Sequence, residues 1–457
     1  MLDIYRNNIA VNTDSYKASM FLQYPEGTEI VYSYIESRGG KYPNTLFLGL
    51  NAFIKEYLLT PVTKEMVEFA KEFWAAHGEP FNYDGWMYIV NELKGKLPIS
   101  IKAVAEGTVV PTKNVLAVVE NTDPKCFWLT TWVETSLLRA IWYPTTVATQ
   151  SWTIKQIIKD YLERTGDVGG LAFKLHDFGA RGVSSFESAA LGGMAHLVNF
   201  MGSDTVSGVL AARYYYGEQV AGFSIPAAEH STITSWGRDN EVDAYRNMLN
   251  QFAKPNSLVA VVSDSYDILA ACDKWGTELK QQVIDSGATV IIRPDSGHPE
   301  TVVLQVVQRL DKWFGSVVND KGYRVLNNVR VIQGDGINEL SIRGILMNLE
   351  IAGYSADNVA FGMGGALLQI VNRDTQAFAM KCSAIRVNGV WRDVYKDPVG
   401  DSGKKSKRGR VTLYKNASGE YYSGVEDWQP SELVEVYRDG VLLKDITFSE
   451  VRANSIG

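Results

Sequence analysis

The chain has 457 residues, 46% of them hydrophobic and 21% charged, with a formal net charge of -7. That is enough apolar material for a large core, and an acidic chain with no broad basic surface is excluded from general nucleic-acid binding. No apolar stretch approaches the roughly 20 residues needed to span a bilayer, and the opening Met1-Leu2-Asp3-Ile4-Tyr5-Arg6 lacks a basic-then-apolar signal. The expectation is a cytoplasmic protein without a membrane partner. Cys126, Cys272 and Cys382 have no CxxC spacing and sit among apolar neighbours, so they read as buried free thiols.

Residues 1–165 read as an α+β domain. Glu29 to Glu36 alternates like a strand, and Thr63 to His77 and Gln150 to Thr165 have helical spacing. Leu97 to Val119 reads as short strands broken at Gly107 and Pro111. Trp74, Trp86, Trp128, Trp132 and Trp142 read as core. In Asn12-Thr13-Asp14-Ser15-Tyr16-Lys17, Thr13 or Asp14 fits a helix cap, which leaves Tyr16 and Lys17 unexplained.

Residues 166–380 carry a regular rhythm. Seven short apolar runs, starting near 173, 197, 222, 258, 289, 329 and 358, are each followed by a polar tip. The tips include HDFGARG (176–182), GSDT (202–205), PAAEH (226–230), SDS (263–265), RPDSG (293–297), GDG (334–336) and GMGG (362–365). The gaps hold one helix each, as in 239–252, 299–314 and 366–372. A doubly wound sheet has a similar rhythm but concentrates its chemistry at a switch point. Seven polar tips fit an α/β fold with a β/α barrel, whose strand ends form one functional face. Residues 381–457 return to strands and turns, around Ser383 to Val390, Arg410 to Tyr414 and Glu432 to Lys444. They read as packing with the N-terminal domain. The run Lys404 to Arg410 reads as a basic loop.

The tips carry chemistry, each with a plainer alternative. Gly362 to Gly365 before a helical run suits an anion held by backbone N–H groups and the helix dipole, with Arg373 near in sequence; glycine also serves tight turns. Arg293 and Asp295 put a planar cation and a carboxylate on one tip, and Gly334-Asp335-Gly336 adds a carboxylate with close backbone approach. Asp264 and Asp267 are further acids. Each Asp could instead cap the helix after it. Together, carboxylates and phosphate-binding groups suggest a phosphorylated sugar with Mg2+; no cluster has zinc-type spacing. Phe178 beside Arg181 is either an aromatic platform or packing under a turn. Asp204 is either a binding acid or a cap. His176 reads as pinning its turn, His196 as packed, His77 and His298 as peripheral. His230, following Glu229 at a tip, is either structural or substrate-facing.

The motifs HDFGARGVSS (176–185), HLVNFMGSDTVSG (196–208), PAAEHSTITSWG (226–237), VVSDSYD (261–267), IIRPDSG (291–297), VIQGDG (331–336), FGMGGALLQ (361–369) and KDPVGDSGKKSKRGR (396–410) closely resemble the nicotinamide phosphoribosyltransferase family. NTDSYKASM (12–20), SYIESR (33–38), ENTDPKCFWLTTWVETSLL (120–138) and YPTTVATQS (143–151) match it as well. The resemblance implies a type II phosphoribosyltransferase fold, an incomplete β/α barrel with an α+β domain built from both chain ends. It implies transfer of phosphoribose from phosphoribosyl pyrophosphate to nicotinamide, with Mg2+, in a homodimer with shared active sites. By the same resemblance the pyridine lies between Phe178 and the partner's Tyr16, and Asp204 accepts from the carboxamide. Arg293 and Asp295 match residues by the pyridine and ribose; Gly334 and Asp335 are candidates for the same sugar-phosphate on the chemistry of their tip alone. Arg181, Gly364, Gly365 and Arg373 match residues at the ribose phosphate, and Lys381, Lys396 and Lys404 match those that handle pyrophosphate. His230 matches a histidine phosphorylated by ATP. Ala180 and Ala379 stand where the family has a tyrosine and a serine. Two rival readings stand beside this one: a nicotinate (or quinolinate) phosphoribosyltransferase, and a non-catalytic binder of NAD precursors.

Overall fold

The computed structural model describes residues 7–397 and 406–456. Lys404 lies outside the described residues. The chain forms two compact units. One comprises Met1–Thr149, Ala212–Glu218 and Asn372–Gly457; the other comprises Gln150–Ala211 and Gln219–Val371.

The first unit is built on a seven-stranded antiparallel sheet. Its strand order is Val390–Asp393, Phe378–Val387, Thr28–Ser37, Val115–Asn121, Ile99–Ala103, Val434–Arg438, Val441–Leu442. Segments from both ends of the chain therefore share one hydrogen-bonded layer. Thr28–Ser37 lacks the one-sided burial that its alternation suggests; eight of its ten positions are buried. Polar positions such as Ser33, Glu36 and Ser37 are covered as well. Trp86, Trp128 and Trp132 meet edge to face with centroids 5.1–6.0 Å apart, and Trp74 joins them through Trp132. Trp74 and Trp132 donate their indole N–H groups to Ala10 and Ile9 carbonyls, so the aromatic core also fastens the N-terminal segment. Neither Thr13 nor Asp14 caps a helix. Thr13 donates to the Trp132 carbonyl and Asp14 accepts from Thr135; tertiary partners displace the local cap.

Glu106 is a buried acid of this unit. Its Oε1 accepts from the Gly49 and Leu50 N–H groups at 2.5 and 2.7 Å and from the Tyr216 hydroxyl at 3.2 Å. Asn454 donates to its backbone carbonyl. The side chain thus joins a helix start to the Ala212–Glu218 excursion, and the backbone carbonyl of the same residue ties in the C-terminal helix. Burial pushes its carboxyl from 4.5 up to about 7, against the pull of those donors. The folded state therefore binds the extra proton. The resulting stability is full below about pH 4.5 and is lost as pH rises through about 7. Denaturant titrations should show wild-type stability falling across that window relative to Glu106→Gln. Glu106→Ala, which orphans buried donors, should cost about 3 kcal/mol.

The second unit is a parallel sheet of six strands: β1 (Leu175–Asp177), β2 (Gly202–Ser203), β3 (Leu258–Val262), β4 (Thr289–Arg293), β5 (Val329–Gln333) and β6 (Val359–Met363). Their order is β2-β1-β6-β5-β4-β3. The outer strands are both bridged to one further segment, by Gly202 to Phe223 and by Ala227 to Ala260. Residues 223–227 therefore complete a seven-membered ring, an incomplete β/α barrel, through two single bridges. The expected strand at 222 exists only as this bridging segment. The run at 197–200 is not a strand: Leu197 ends helix α1 (Phe186–Leu197), and pairing begins at Gly202. Those residues are apolar because the helix end is buried, with Leu197, Val198 and Phe200 at most 2% exposed. The ring's strands are covered on both faces, so they read as continuous apolar runs.

Helices α2 (Glu241–Phe252), α3 (Ile268–Thr277), α4 (Pro299–Phe314) and α5 (Glu339–Ile351) fill the gaps. Asp267 caps α3 by accepting from Ala270 N–H, Pro299 opens α4, and Asn338 caps α5. The helical run expected over 366–372 shrinks to one turn, Gly365–Leu368. A separate 3-10 turn, Arg373–Thr375, begins behind the Asn372 cap. A single turn has little dipole, so the anion argument at this tip rests on backbone approach alone. Among the described residues no helix is long and apolar enough to cross a membrane.

Candidate active site

Parallel pairing places the C-terminal end of every strand in the ring on one side, and the polar tips follow those ends. Asp177 ends β1. Its buried Oδ1 accepts the Gly179 N–H at 2.7 Å, and its carbonyl accepts the Asp204 N–H at 2.9 Å. The backbone of β1 therefore fixes two neighbouring tips. Between them Phe178 is held by its own N–H on the Met363 carbonyl. Its ring lies against Gly362, where a methyl group would overlap it. A Cβ on Gly334 would stand 3.3 Å from Asp295 Oδ1 and 3.5 Å from Phe178 Cε2. The aromatic edge and this carboxylate thus meet over the glycine tip of β5.

Arg293, at the end of β4, directs Nη2 to Asp295 Oδ2 at 3.5 Å, a long contact. Its buried Nε has no partner among the described residues. An Arg with a spare buried donor beside a half-buried carboxylate suits a polar ligand. His230 completes this side. Its Nε2 lies 2.9 Å from Asp264 Oδ1, and its Nδ1 is 4.0 Å from Asp295 Oδ2. Asp264 is 4% exposed and also accepts from Ser296 Oγ at 2.6 Å. Asp264 is thus a support for His230 rather than a cap, whereas Asp267 is a cap. The His230 ring is 43% exposed.

Asp204 is exposed at the β2 tip and makes no cap; Ser224 Oγ donates to its Oδ1 at 2.5 Å. Its titratable neighbours do not offset its charge. His176 Nε2 donates to the Phe173 carbonyl at 3.1 Å, and burial lowers its pKa against the opposing pull of Asp204, which disfavours the charged ring. Burial pushes the Asp177 carboxyl up to about 6, and the Asp204 charge adds to that rise. His196 is fully buried between Ser151 and the Gly202 carbonyl, with its pKa pushed down to about 3 by burial.

The remaining candidates fall in two places. Arg181 is exposed on the turn after Phe178. A Cβ on the adjacent Gly182 would stand 3.2 Å from the Gly365 backbone, so the Arg181 and Gly364-Gly365 turns run side by side. Asp335 is exposed beside Gly334. Tyr16, Arg373, Lys381 and Lys396 belong to the first unit. There, burial lowers the Lys381 pKa, Glu134 opposes that, and Arg38, Lys17 and Arg373 lower it further. Lys381 and Arg373 therefore share a cationic neighbourhood with Arg38, which composition did not single out. Lys17 pairs with Glu134 at 2.7 Å and is itself buried, while Tyr16 is 57% exposed. Lys396 is exposed; its backbone pairs with Ser406. Among the described residues no three His, Cys, Asp or Glu side chains form a metal cluster.

Comparison with known proteins gives one answer. Residues 173–440 match the nicotinate phosphoribosyltransferase family profile, and residues 8–101 match the N-terminal domain of nicotinamide phosphoribosyltransferase. The chain is 60% identical to the nicotinamide phosphoribosyltransferase of Xanthomonas campestris pv. campestris, covering 99% of this chain and 98% of the relative. The chain belongs to the nicotinamide phosphoribosyltransferase family. An Acinetobacter baylyi member is 32% identical over 98% of this chain and 97% of its own. Two solved structures share the fold: a Pyrococcus furiosus nicotinate-nucleotide pyrophosphorylase (TM-score 0.63, 16% identity, 99% and 95% covered) and human nicotinic acid phosphoribosyltransferase (0.56, 16%, 97% and 92%). Phosphoribosyl transfer is thus the chemistry of this family, and the ring of parallel strands is its type II fold.

The Phe178 ring and Gly362 give a direct test of site packing. Gly362→Ala should destabilise the protein by about 1–3 kcal/mol through overpacking. Combined with Phe178→Ala it should cost less than the sum of the two single changes, because the colliding ring is gone. A double-mutant cycle in denaturant reads this; strict additivity would separate the two residues.

Proposed function

We propose that the protein transfers phosphoribose from phosphoribosyl pyrophosphate to nicotinamide, releasing nicotinamide mononucleotide and pyrophosphate, a step of NAD salvage. The observation that carries the choice of pyridine is Asp204. An exposed carboxylate whose histidine neighbour, His176, is disfavoured in its charged form by burial accepts an amide N–H and repels a carboxylate. Nicotinate would bring like charge to the same spot, which disfavours the nicotinate reading.

In the reaction the neutral pyridine nitrogen attacks the anomeric carbon. The bond from that carbon to pyrophosphate oxygen breaks, and positive charge passes from the sugar to the pyridinium. The nucleophile needs orientation rather than deprotonation. Phe178 and the partner's Tyr16 would sandwich the ring in a homodimer with shared sites; the exposure of Tyr16 supports this. Arg293 and Asp295 would flank the pyridine and ribose, with Asp295 facing the developing sugar cation. Gly334 and Asp335 would take the ribose, and Arg181, Gly364, Gly365 and Arg373 its phosphate. Lys381, Lys396 and Lys404 would neutralise pyrophosphate. Mg2+ fits as an ion carried by pyrophosphate that needs only one or two carboxylates, such as Asp335. When bound it would add charge neutralisation on the leaving group.

ATP would act through His230. Asp264 is an acceptor at Nε2, so that nitrogen carries the proton and Nδ1 keeps its lone pair. Nδ1 attacks the γ-phosphorus and ADP leaves. Labelled ATP with Mg2+ should therefore place acid-labile phosphate on the wild type and none on His230→Ala. Equal labelling of the two would remove His230 from the scheme.

For the transfer itself, purified protein with phosphoribosyl pyrophosphate should form nicotinamide mononucleotide, faster with ATP present. No product with either pyridine would favour a non-catalytic binder of NAD precursors. Asp204→Ser should lower the nicotinamide-to-nicotinate ratio of kcat/KM by about tenfold or more; an unchanged ratio would count against Asp204 as the amide acceptor.

A further inference from the structure

The bridging segment at 223–227 contributes one side chain that the scheme above does not use. Phe223 N–H donates to the Met201 carbonyl at 2.7 Å, and Ser203 N–H donates to the Phe223 carbonyl at 3.0 Å. Downstream, Ala260 N–H donates to the Pro226 carbonyl and Ala228 N–H to the Ala260 carbonyl, both at 3.0 Å. Ser224 is therefore pinned on both sides, level with the β2 tip that ends in Ser203 and Asp204. Its hydroxyl donates to Asp204 Oδ1 at 2.5 Å. The Asp204 backbone is fixed independently by the Asp177 carbonyl.

A solvent-exposed carboxylate otherwise turns freely and offers either oxygen to water. Two anchors, one on the backbone and one on Oδ1, remove that freedom. What is left is a single unengaged oxygen, Oδ2, in one orientation. We propose that Ser224 is the positioning residue that sets amide-over-acid selection, by clamping Asp204 so that only Oδ2 meets the substrate. The inference rests on the proposed reading of Asp204 as the amide acceptor. It assigns the discrimination to a pair of residues from two different tips rather than to Asp204 alone.

Removing the clamp has an asymmetric consequence. A hydrogen bond to a charged group that orients an acceptor is worth about tenfold or more in binding, and nicotinamide loses it. Nicotinate gains, because a freed Asp204 can turn its charge towards water. A residue that merely packed the segment would weaken both substrates by a common factor.

The test is steady-state kinetics with both pyridines on four proteins: wild type, Ser224→Ala, Ser224→Thr and Asp204→Ser. Wild type and Asp204→Ser report on the reading beneath the inference; if wild type shows no nicotinamide preference, or Asp204→Ser keeps it, that reading fails first. With that preference in place, Ser224→Ala should lower the nicotinamide-to-nicotinate kcat/KM ratio about tenfold, mostly through a higher nicotinamide KM. Ser224→Thr, which keeps the hydroxyl, should stay within about threefold of wild type. Equal losses for the two pyridines in Ser224→Ala, or an unchanged ratio, would overturn the proposal. Should Ser224→Ala fail to fold, Ser224→Cys, a weaker donor, takes its place with the same two outcomes.

Discussion

The constraint on which the second unit depends is parallel pairing. Once β1 to β6 run the same way in one ring, every strand must end on the same side. Residues far apart in sequence then arrive together: Phe178 from one tip, His230 from the bridging segment, Arg293 and Asp295 from another, Gly334 from a fourth. The placement of these tips is set by backbone hydrogen bonds in the ring. The weak place is the segment at 223–227, held by one bridge on each side. It nevertheless carries Ser224 and leads directly into His230.

Much of this was legible in the sequence because apolar runs and polar tips alternate at a spacing that fits one helix each. Long helices with strong signals, such as Pro299–Phe314, fall where periodicity and Pro299 put them. The misses have physical causes. A buried helix end and a buried strand are both apolar, so Leu197 to Phe200 could not be told apart by composition. A segment that pairs through isolated bridges looks like a strand to any pattern. Glycines at 362–365 suggested an anion cradle, yet Gly362 is required because an aromatic ring occupies the space of its Cβ. Asp264 and Asp267 are three residues apart and chemically identical. Only the fold separates the support of His230 from the helix cap. Ser224, inside the apolar run Gly222 to Ile225, and Glu106, alone among short strands, carried no signal at all.

The electrostatics of the site follow from burial more than from pairing. Asp177 and His176 lie beneath the tips, and desolvation drives both towards their neutral forms. Asp204 is at the surface and forms no ion pair among the described residues. His230 takes the opposite arrangement: the imidazole is open to solvent, while its carboxylate partner Asp264 is hidden and doubly engaged. One side of the ring thus presents an exposed carboxylate, the other a histidine held by a buried carboxylate. Within the first unit, Arg373, Lys381 and Arg38 form a cationic neighbourhood of their own.

The most direct test of the account is a crystal structure of the protein with nicotinamide mononucleotide bound. The account predicts the pyridine ring on Phe178, its amide nitrogen about 3 Å from an Asp204 oxygen, and its phosphate at Arg181 and the Gly364-Gly365 turn. A nucleotide seated elsewhere, or one at the ring with Asp204 turned away from its amide, would contradict it.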